Sequence, residues 1–246
     1  MVKFALLVGI NYRNTSNELH GCINDIHVMK DYLISKRGYQ ADNITLLTED
    51  QSLPYRPTCS NILREFERLI LRSPPAEELF FHYSGHGSYV VDRNGDEADG
   101  RDETIVPLDY DSAGMITDDK LHTYLERLSP SCQLYCLFDC CHSGTILDLK
   151  YLYRGGRENV TENKSSRLTG NIIMISGCKD DQTSADAMIS GKWSGAMTAA
   201  FTACIKDDIT CDTLLRNMRE YLKKGGYEQI PQLCCTTEVT ADRRLY

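Results

Sequence analysis

Leu-Tyr-Cys-Leu-Phe-Asp-Cys-Cys-His-Ser-Gly, at residues 134–144, is the stretch around which this chain is organised. It begins as a short apolar run, which is typical of a buried strand in a covered sheet, and it ends in polar and reactive residues. An open α/β sheet presents its ligand-binding groups at the carboxyl ends of such strands. Four side chains at this end can take part in chemistry: Asp139, Cys140, Cys141 and His142.

A second stretch of the same kind lies at residues 78–87 and reads Glu-Leu-Phe-Phe-His-Tyr-Ser-Gly-His-Gly. It also begins as a strand, and it ends in Ser-Gly-His-Gly. If the two strands lie side by side, one strand end offers the imidazole of His86 and the other offers the thiol of Cys141.

Strand-like and helix-like segments alternate along the rest of the chain. The predicted strands are 4–10, 43–48, 79–83, 134–138, 171–176 and 230–235, with a hairpin of 88–91 and 103–108. The predicted helices begin near residue 22 and at Thr117 and also cover 58–73, 194–206 and 210–224. This alternation predicts a mainly parallel α/β sheet with helices on both faces.

The composition excludes several classes of function. The chain has 246 residues, 41% of them hydrophobic, and 35 acidic residues outnumber 27 Lys and Arg to give a net charge of -8. This charge argues against binding to nucleic acid or anionic membranes. The sequence shows no signal-peptide pattern and no apolar run long enough to span a bilayer. We therefore expect the 11 cysteines to be reduced thiols in the cytoplasm, or also in the nucleus.

The thiol and the imidazole predict nucleophilic catalysis. A thiol has an ordinary pKa of about 8.5, so it needs a base that takes its proton and later returns it to a leaving amine. We expect the backbone N–H groups of Gly87 and Cys141 to form an oxyanion hole. His82 lies inside its strand and is interpreted as a core residue, and the His142 ring is expected to point away. A zinc site is disfavoured because adjacent ligands lack the required spacing.

These motifs together resemble the metacaspases, a family of caspase-like cysteine peptidases. The resemblance rests on His-Tyr-Ser-Gly-His-Gly (82–87) and Asp-Cys-Cys-His-Ser-Gly (139–144). Further matches are Gly-Ile-Asn-Tyr (9–12), Gly-Cys-x-Asn-Asp (21–25), Asp-Gly-x-Asp-Glu (99–103), Asp-Asp-x-Leu (118–121), Ser-Gly-Cys-Lys-Asp-Asp-Gln-Thr-Ser-Ala-Asp (176–186) and Pro-Gln-Leu (231–233). Their order is similar to type I members, although the N-terminal extension common in that type is not part of this sequence.

The resemblance implies a fold and a set of site residues. The fold is a caspase-like sandwich around a mostly parallel sheet of six or more strands. Cys141 is the nucleophile and His86 the base and acid, acting on protein substrates after Arg or Lys. The residues implied for the pocket that binds this basic side chain (S1) are Cys22, Asp25, Ser84 and Asp139. Family members are generally monomers, and the resemblance also implies a cytoplasmic zymogen connected with cell death.

The resemblance also implies a Ca²⁺ site. By the resemblance its ligands would be Asp102, Asp118, Asp119 and Asp148. Hard oxygen ligands drawn from several loops suit this ion. An EF-hand in the acidic loop 92–102 is rejected, since its sixth position is Glu97 and flanking helices are not predicted.

The chain is expected to form one compact domain in three parts. Residues 1–148 form the large catalytic part, 149–170 a flexible linker and 171–246 the small part. The linker carries basic residues that an Arg/Lys-specific peptidase would cut in self-processing: Lys150, Arg154, Arg157, Lys164 and Arg167.

Two other functions stay open at this stage. One is a catalytically idle caspase-like scaffold that acts by binding proteins. The other is a clan relative with a different residue preference, such as a legumain-like or paracaspase-like protease.

Overall fold

In the computed structural model, the described residues are 2–92, 100–141, 143, 145–153, 160–164, 166–177, 186–189, 192–240 and 242–246. Their strands are β1 (Lys3–Gly9), β2 (Ile44–Thr48), β3 (Glu78–Ser84), β4 (Gly87–Val91), β5 (Arg101–Ile105), β6 (Ile116–Thr117), β7 (Gln133–Asp139), β8 (Tyr151–Tyr153), β9 (Val160–Glu162), β10 (Asn171–Ser176), β11 (Asp186–Ile189), β12 (Lys192–Gly195) and β13 (Gln232–Cys235). Their helices are α1 (Cys22–Arg37), α2 (Cys59–Leu71), α3 (Tyr110–Ala113), α4 (Asp118–Leu125), α5 (Ala196–Cys204) and α6 (Cys211–Lys224).

The main sheet of the described part has eight strands in the order β2-β1-β3-β7-β10-β13-β8-β9. The first five are parallel, and β13, β8 and β9 pair antiparallel to their neighbours. The parallel strands are buried on both faces, which explains why they read as nearly continuous apolar runs. The mostly parallel sheet of six or more strands is confirmed.

Side chains of successive residues in each strand point to opposite faces of the sheet. Leu6 and Val8 of β1 belong to the core under α2 and α4, whereas Ala5 and Leu7 belong to the core under α1, α5 and α6. Helices therefore cover both faces, as the sequence predicts.

Local sequence sets several helix ends. The side chain of Thr117 accepts a hydrogen bond from the N–H of Lys120, and Thr58 and Thr210 cap α2 and α6 in the same way. Such caps satisfy N–H groups that have no partner inside the helix. Gly38 ends α1 with a φ of 72°, in the left-handed region that glycine adopts without strain.

Two parts of the prediction differ from the structure. A flexible linker is the expectation for 149–170, but two strands lie there, β8 and β9, and β8 pairs with β13 at the sheet edge. The helix predicted from residue 194 begins at Ala196, and Ser194 and Gly195 end β12 instead. Within the described ranges, no helix is both long and apolar enough to cross a bilayer.

Candidate active site

The site lies where β3 and β7 end side by side. The register of this parallel pair places Ser84 opposite Asp139, and the N–H of Gly85 donates to the carbonyl oxygen of Asp139 across 3.3 Å. The two motifs are thus joined by backbone pairing in the centre of the sheet. The chain beyond each strand end carries His86 and Cys141.

The two cysteines that follow β7 differ in burial. Cys140 is fully buried in the core under α2 and α4, where a thiol behaves as a small apolar group. Cys141 is partly exposed. Of these two thiols, the second is therefore the one that solvent can reach.

The ring of His86 is held in one orientation. Its Nε2 lies 2.7 Å from the backbone oxygen of Asn17, and its ring lies 4.7 Å from the ring of Tyr12, centroid to centroid. A carbonyl oxygen only accepts hydrogen bonds, so Nε2 carries the proton of the neutral ring and Nδ1 holds the lone pair. Nδ1 is then the atom that can act as the base.

Gly87 lies directly against the backbone of the cysteine motif. A Cβ added to Gly87 would lie 1.9 Å from the carbonyl oxygen of Cys141 and 3.3 Å from the Cβ of Cys140. Only glycine permits this approach. The residue after the histidine therefore lies in direct contact with the backbone carbonyl group of Cys141.

Asp25 and Asp139 form a buried acidic pair beside this point. Both side chains are almost fully buried. The Oδ2 of Asp25 accepts a hydrogen bond from Ser84 Oγ at 2.8 Å, and its Oδ1 accepts one from Ser194 Oγ at 2.5 Å. The N–H of Gly195 lies 3.0 Å and 2.9 Å from the two oxygens of Asp25.

The same segment of chain contacts the second carboxylate. Asp139 Oδ2 accepts hydrogen bonds from the N–H of Thr198 at 2.8 Å and from its Oγ1 at 2.9 Å. A Cβ added to Gly195 would lie 2.2 Å from Asp139 Oδ2 and 2.8 Å from Asp25 Oδ2. Gly195 thus separates two carboxylates that face each other.

This arrangement raises the pKa of Asp25 well above its ordinary value, first because of burial and second because of the neighbouring Asp139 charge. A cation placed between the two groups would offset both effects and favour the ionised forms. Cys22, the fourth predicted pocket residue, is buried at the start of α1, three residues before Asp25 on the same helix.

His82 is a core residue, as its position inside the strand predicts. It is fully buried, and its Nδ1 lies 3.1 Å from the backbone oxygen of Leu137. Burial lowers its pKa to about 4. Its Nε2 lies 3.5 Å from Thr198 Oγ1, so the neutral ring borders the residue that holds Asp139.

A second acidic group contains three of the four predicted Ca²⁺ ligands. Asp118, Asp119 and Asp148 each offer a carboxylate oxygen, and these atoms all lie within 4.8 Å of one another. Asp102 lies on β5 outside this group. Asp118 Oδ2 accepts a hydrogen bond from the N–H of Glu103 at 2.8 Å.

The chemistry of this donor set fits a hard cation. Burial, with the nearby Glu103 charge, raises the pKa of Asp118 to about 9. Three carboxylates at such short separations repel one another, and a divalent cation relieves that repulsion.

Some predicted residues lie outside the described ranges, and other site residues are missing from the prediction. His142, Arg154, Arg157 and most of the acidic loop fall outside the description. The sequence does not indicate a site role for Ser194, Thr198 or Tyr12. The motif at 9–12 contained Tyr12, but nothing local in the sequence connects Ser194 or Thr198 with an acid at position 25 or 139.

Comparison with solved structures identifies the fold. A crystal structure of protein GSU0716 from Geobacter sulfurreducens matches with a TM-score of 0.65 at 20% identity and covers 100% of both chains. Caspase-1 from Spodoptera frugiperda matches with a TM-score of 0.61 at 11% identity and covers 98% of this chain and 88% of its own. The caspase-like α/β sandwich is confirmed.

Sequence comparison identifies the family. The model of the metacaspase, peptidase C14 domain matches residues 3–150. Metacaspase-1 of Eremothecium gossypii is 39% identical over 94% of this chain and 63% of its own length, and Metacaspase-1 of Meyerozyma guilliermondii is 40% identical over 94% and 68%. This chain thus spans less than two thirds of the first relative. With the matched domain and these relatives in agreement, the chain belongs to the metacaspase family of peptidase C14 proteins.

Proposed function

We propose that this chain is a cysteine endopeptidase that cleaves proteins after Arg or Lys. The observation that carries the proposal is the buried pair of Asp25 and Asp139 beside the strand ends that bear Cys141 and His86. A guanidinium or ammonium group between two carboxylates gains charge-assisted hydrogen bonds that a neutral or acidic side chain cannot make.

The reaction follows from the two groups of the dyad. Nδ1 of His86 takes the proton of the Cys141 thiol, and the thiolate attacks the carbonyl carbon of the scissile peptide bond. The negative charge moves to the carbonyl oxygen, where the N–H groups of Gly87 and Cys141 stabilise it. The imidazolium then gives its proton to the leaving amine, and water hydrolyses the thioester with His86 again acting as base.

Substrate specificity in this proposal depends on Asp25, Asp139, Ser84 and Cys22. The two acids supply the charge, Ser84 orients Asp25 through its hydroxyl, and Cys22 lines the pocket. A carboxylate accepts about four hydrogen bonds. Because Ser84 and Ser194 donate to one oxygen each and the Gly195 N–H contacts both, four contacts with Asp25 are already present. A basic side chain reaches this acid only where it replaces or shares one of these donors.

We propose further that Ca²⁺ is required for activity and is held by Asp118, Asp119 and Asp148, with Asp102 completing the site. Asp148 follows the cysteine motif closely, and its N–H donates to the carbonyl oxygen of Thr145 at 2.7 Å. A cation here would neutralise the acidic cluster and order the loop that follows Cys141.

Self-processing is proposed for the connection between the two parts. Lys164 and Arg167 are exposed and lie between β9 and β10. Exposed segments of this kind are preferred sites of proteolysis. Lys150 is a weaker candidate because it forms an ion pair with Glu162 at 3.6 Å.

A cytoplasmic monomer is the setting we propose. The cysteines of the described ranges are reduced, which suits a reducing compartment.

One assay tests the function. Fluorogenic peptides with Arg, Lys or Asp before the scissile bond are compared with and without Ca²⁺, using Cys141→Ala as the inactive control. We expect cleavage after Arg and Lys only, in the presence of Ca²⁺. Failure to cleave either basic peptide, together with failure of an arginyl chloromethylketone to label Cys141, would favour a binding scaffold instead.

A further inference from the structure

We propose that Tyr12 and Tyr83 are positioning residues for the reaction, because their hydroxyl groups hold both peptide groups of His86 and so fix where its ring lies. The inference rests on the proposed peptidase function. It concerns two buried tyrosines that contact the backbone of His86.

Hydrogen bonds connect both backbone polar groups of His86 to the two tyrosine hydroxyl groups. The N–H of His86 donates to the hydroxyl oxygen of Tyr12 at 3.0 Å, and the hydroxyl of Tyr83 donates to the carbonyl oxygen of His86 at 2.7 Å. The Tyr12 hydroxyl itself donates to the carbonyl oxygen of Val106 at 2.6 Å. The two hydroxyl oxygens lie 3.1 Å apart.

The clamp formed by the Tyr12 and Tyr83 hydroxyl groups lies in the buried interior of the protein. Tyr12 and Tyr83 are both 1% exposed or less, and Tyr83 lies on the central strand β3. Burial is the largest cause that raises the pKa of both phenols, so both keep the proton with which they donate. Within such a low-dielectric interior a satisfied hydrogen bond stabilises geometry more than it does in water.

A second anchor fixes Tyr12 from its own backbone. The carboxylate of Glu49 accepts a hydrogen bond from the N–H of Tyr12 at 2.8 Å and one from the N–H of Arg13 at 3.2 Å. Tyr12 has a φ of 50°, a left-handed conformation that a bulky residue adopts only where its surroundings require it. The Tyr12 ring also lies against the His86 ring.

The clamp leaves no room for a side chain at Gly85. A Cβ added there would lie 2.7 Å from the Tyr83 hydroxyl oxygen and 3.0 Å from that of Tyr12. Gly85→Ala therefore keeps both hydroxyl groups but displaces them. It provides a test of position that does not remove a hydrogen-bonding group.

The test compares Tyr12→Phe and Tyr83→Phe with the matched control Tyr39→Phe. Tyr39 is equally buried, and its hydroxyl donates to Glu78 Oε1 at 2.9 Å. Glu78 begins β3, whereas Tyr83 and Ser84 end it, so the control removes one buried hydroxyl at the opposite end of the same strand. Gly85→Ala is the second clamp variant.

Two measurements separate positioning from stability. The first is kcat and KM on the arginyl peptide. The second is the pH dependence of Cys141 alkylation by iodoacetamide, followed by mass spectrometry of the peptide that contains it. An imidazolium beside the thiol keeps it reactive below the ordinary thiol pKa of about 8.5, and a displaced ring loses this effect.

We expect each clamp variant to lower kcat about tenfold with little change in KM, because a small displacement of a catalytic group has large effects. The midpoint of alkylation should move upward, while Tyr39→Phe keeps the original kcat and midpoint. If one variant fails to fold, as judged by its thermal midpoint, the other two decide.

Clamp variants that match Tyr39→Phe in both measurements overturn the inference. So does a fall in kcat with an unchanged alkylation midpoint, since the loss would then come from something other than His86. A wild-type chain that cleaves no peptide would refute the proposed function alone, because the alkylation midpoint still reports the position of the imidazole.

Discussion

The molecule has two acidic clusters that differ in how the protein surrounds them. Asp25 and Asp139 are almost fully buried, and neutral donors from β12 and α5 reach both. In the second cluster only Asp118 is buried, whereas Asp119 and Asp148 are partly exposed. Fixed neutral donors favour one cation in one orientation, and partly exposed carboxylates favour an exchangeable ion that keeps some of its water. The first cluster therefore suits an amino-acid side chain, and the second suits Ca²⁺.

The charge of the buried pair is tested most directly by Asp25→Asn. This change keeps the size of the side chain but removes the charge. Loss of one member of a buried charged contact costs about 4 kcal/mol, or about 1,000-fold in kcat/KM on the arginyl peptide. Asp31→Asn, an exposed acid on the same helix, is the control and should change nothing. Unchanged kinetics in Asp25→Asn would remove this acid from the pocket.

The neutral ring behind the pair gives the protein an acid sensitivity. His82 has a pKa of about 4 when folded against an ordinary value of 6.5. Between these pH values His82 is protonated in the unfolded chain but not in the folded chain. The free energy of unfolding therefore falls as pH drops from about 6.5 to about 4. The total loss in the free energy of unfolding over this pH range is about 3 kcal/mol.

Replacement of the imidazole of His82 should remove this loss of stability at acid pH. Urea unfolding at pH 7 and pH 4.5 should show a smaller loss of stability for His82→Phe than for the wild type. His27→Gln, at an exposed position on α1, should keep the wild-type loss. An equal loss in wild type and His82→Phe would mean that the ring does not resist protonation.

The second acidic cluster, formed by Asp118, Asp119 and Asp148, is tested by Asp119→Asn. Loss of one carboxylate ligand should weaken Ca²⁺ binding about 30-fold, in the range of changes to residues that support a metal site. Calorimetric titration measures this directly, independently of activity. Asp111 is an exposed acid outside this cluster, and Asp111→Asn should bind Ca²⁺ as the wild type does. Full peptidase activity of the wild type in excess chelator would contradict the Ca²⁺ proposal.

The contrast between the clusters also explains what sequence reasoning could predict. Apolar runs with polar ends predict that β3 and β7 are strands ending in the segments that carry His86 and Cys141, because these are local patterns. The predicted strand 171–176 is identical to β10.

Contacts between distant elements could not be predicted in this way. Ser194 donates to Asp25 across 169 positions of sequence, and a Ser-Gly pair before an apolar run resembles the beginning of a helix. The sequence therefore predicts a helix from residue 194, whereas Gly195 has extended backbone and is the N-cap residue that precedes α5. The short strands β8 and β9 lie in a polar, charged segment, and β8 pairs with β13, which is distant in sequence.

Thr198→Val is the most selective test of how the two acidic clusters differ, because it removes a single neutral donor from the buried pair. The N–H of Thr198 still donates to Asp139, but the hydroxyl contacts with Asp139 and His82 are lost. A hydrogen bond to a charged group contributes about 1.5 kcal/mol, so KM for the arginyl peptide should rise about tenfold while kcat changes less. Thr202→Val removes a hydroxyl that bonds only backbone oxygens of the same helix, and it should leave KM unchanged. Equal effects of the two substitutions would mean that α5 merely supports the fold, and that the acidic pair is organised by Ser84 and Ser194 without it.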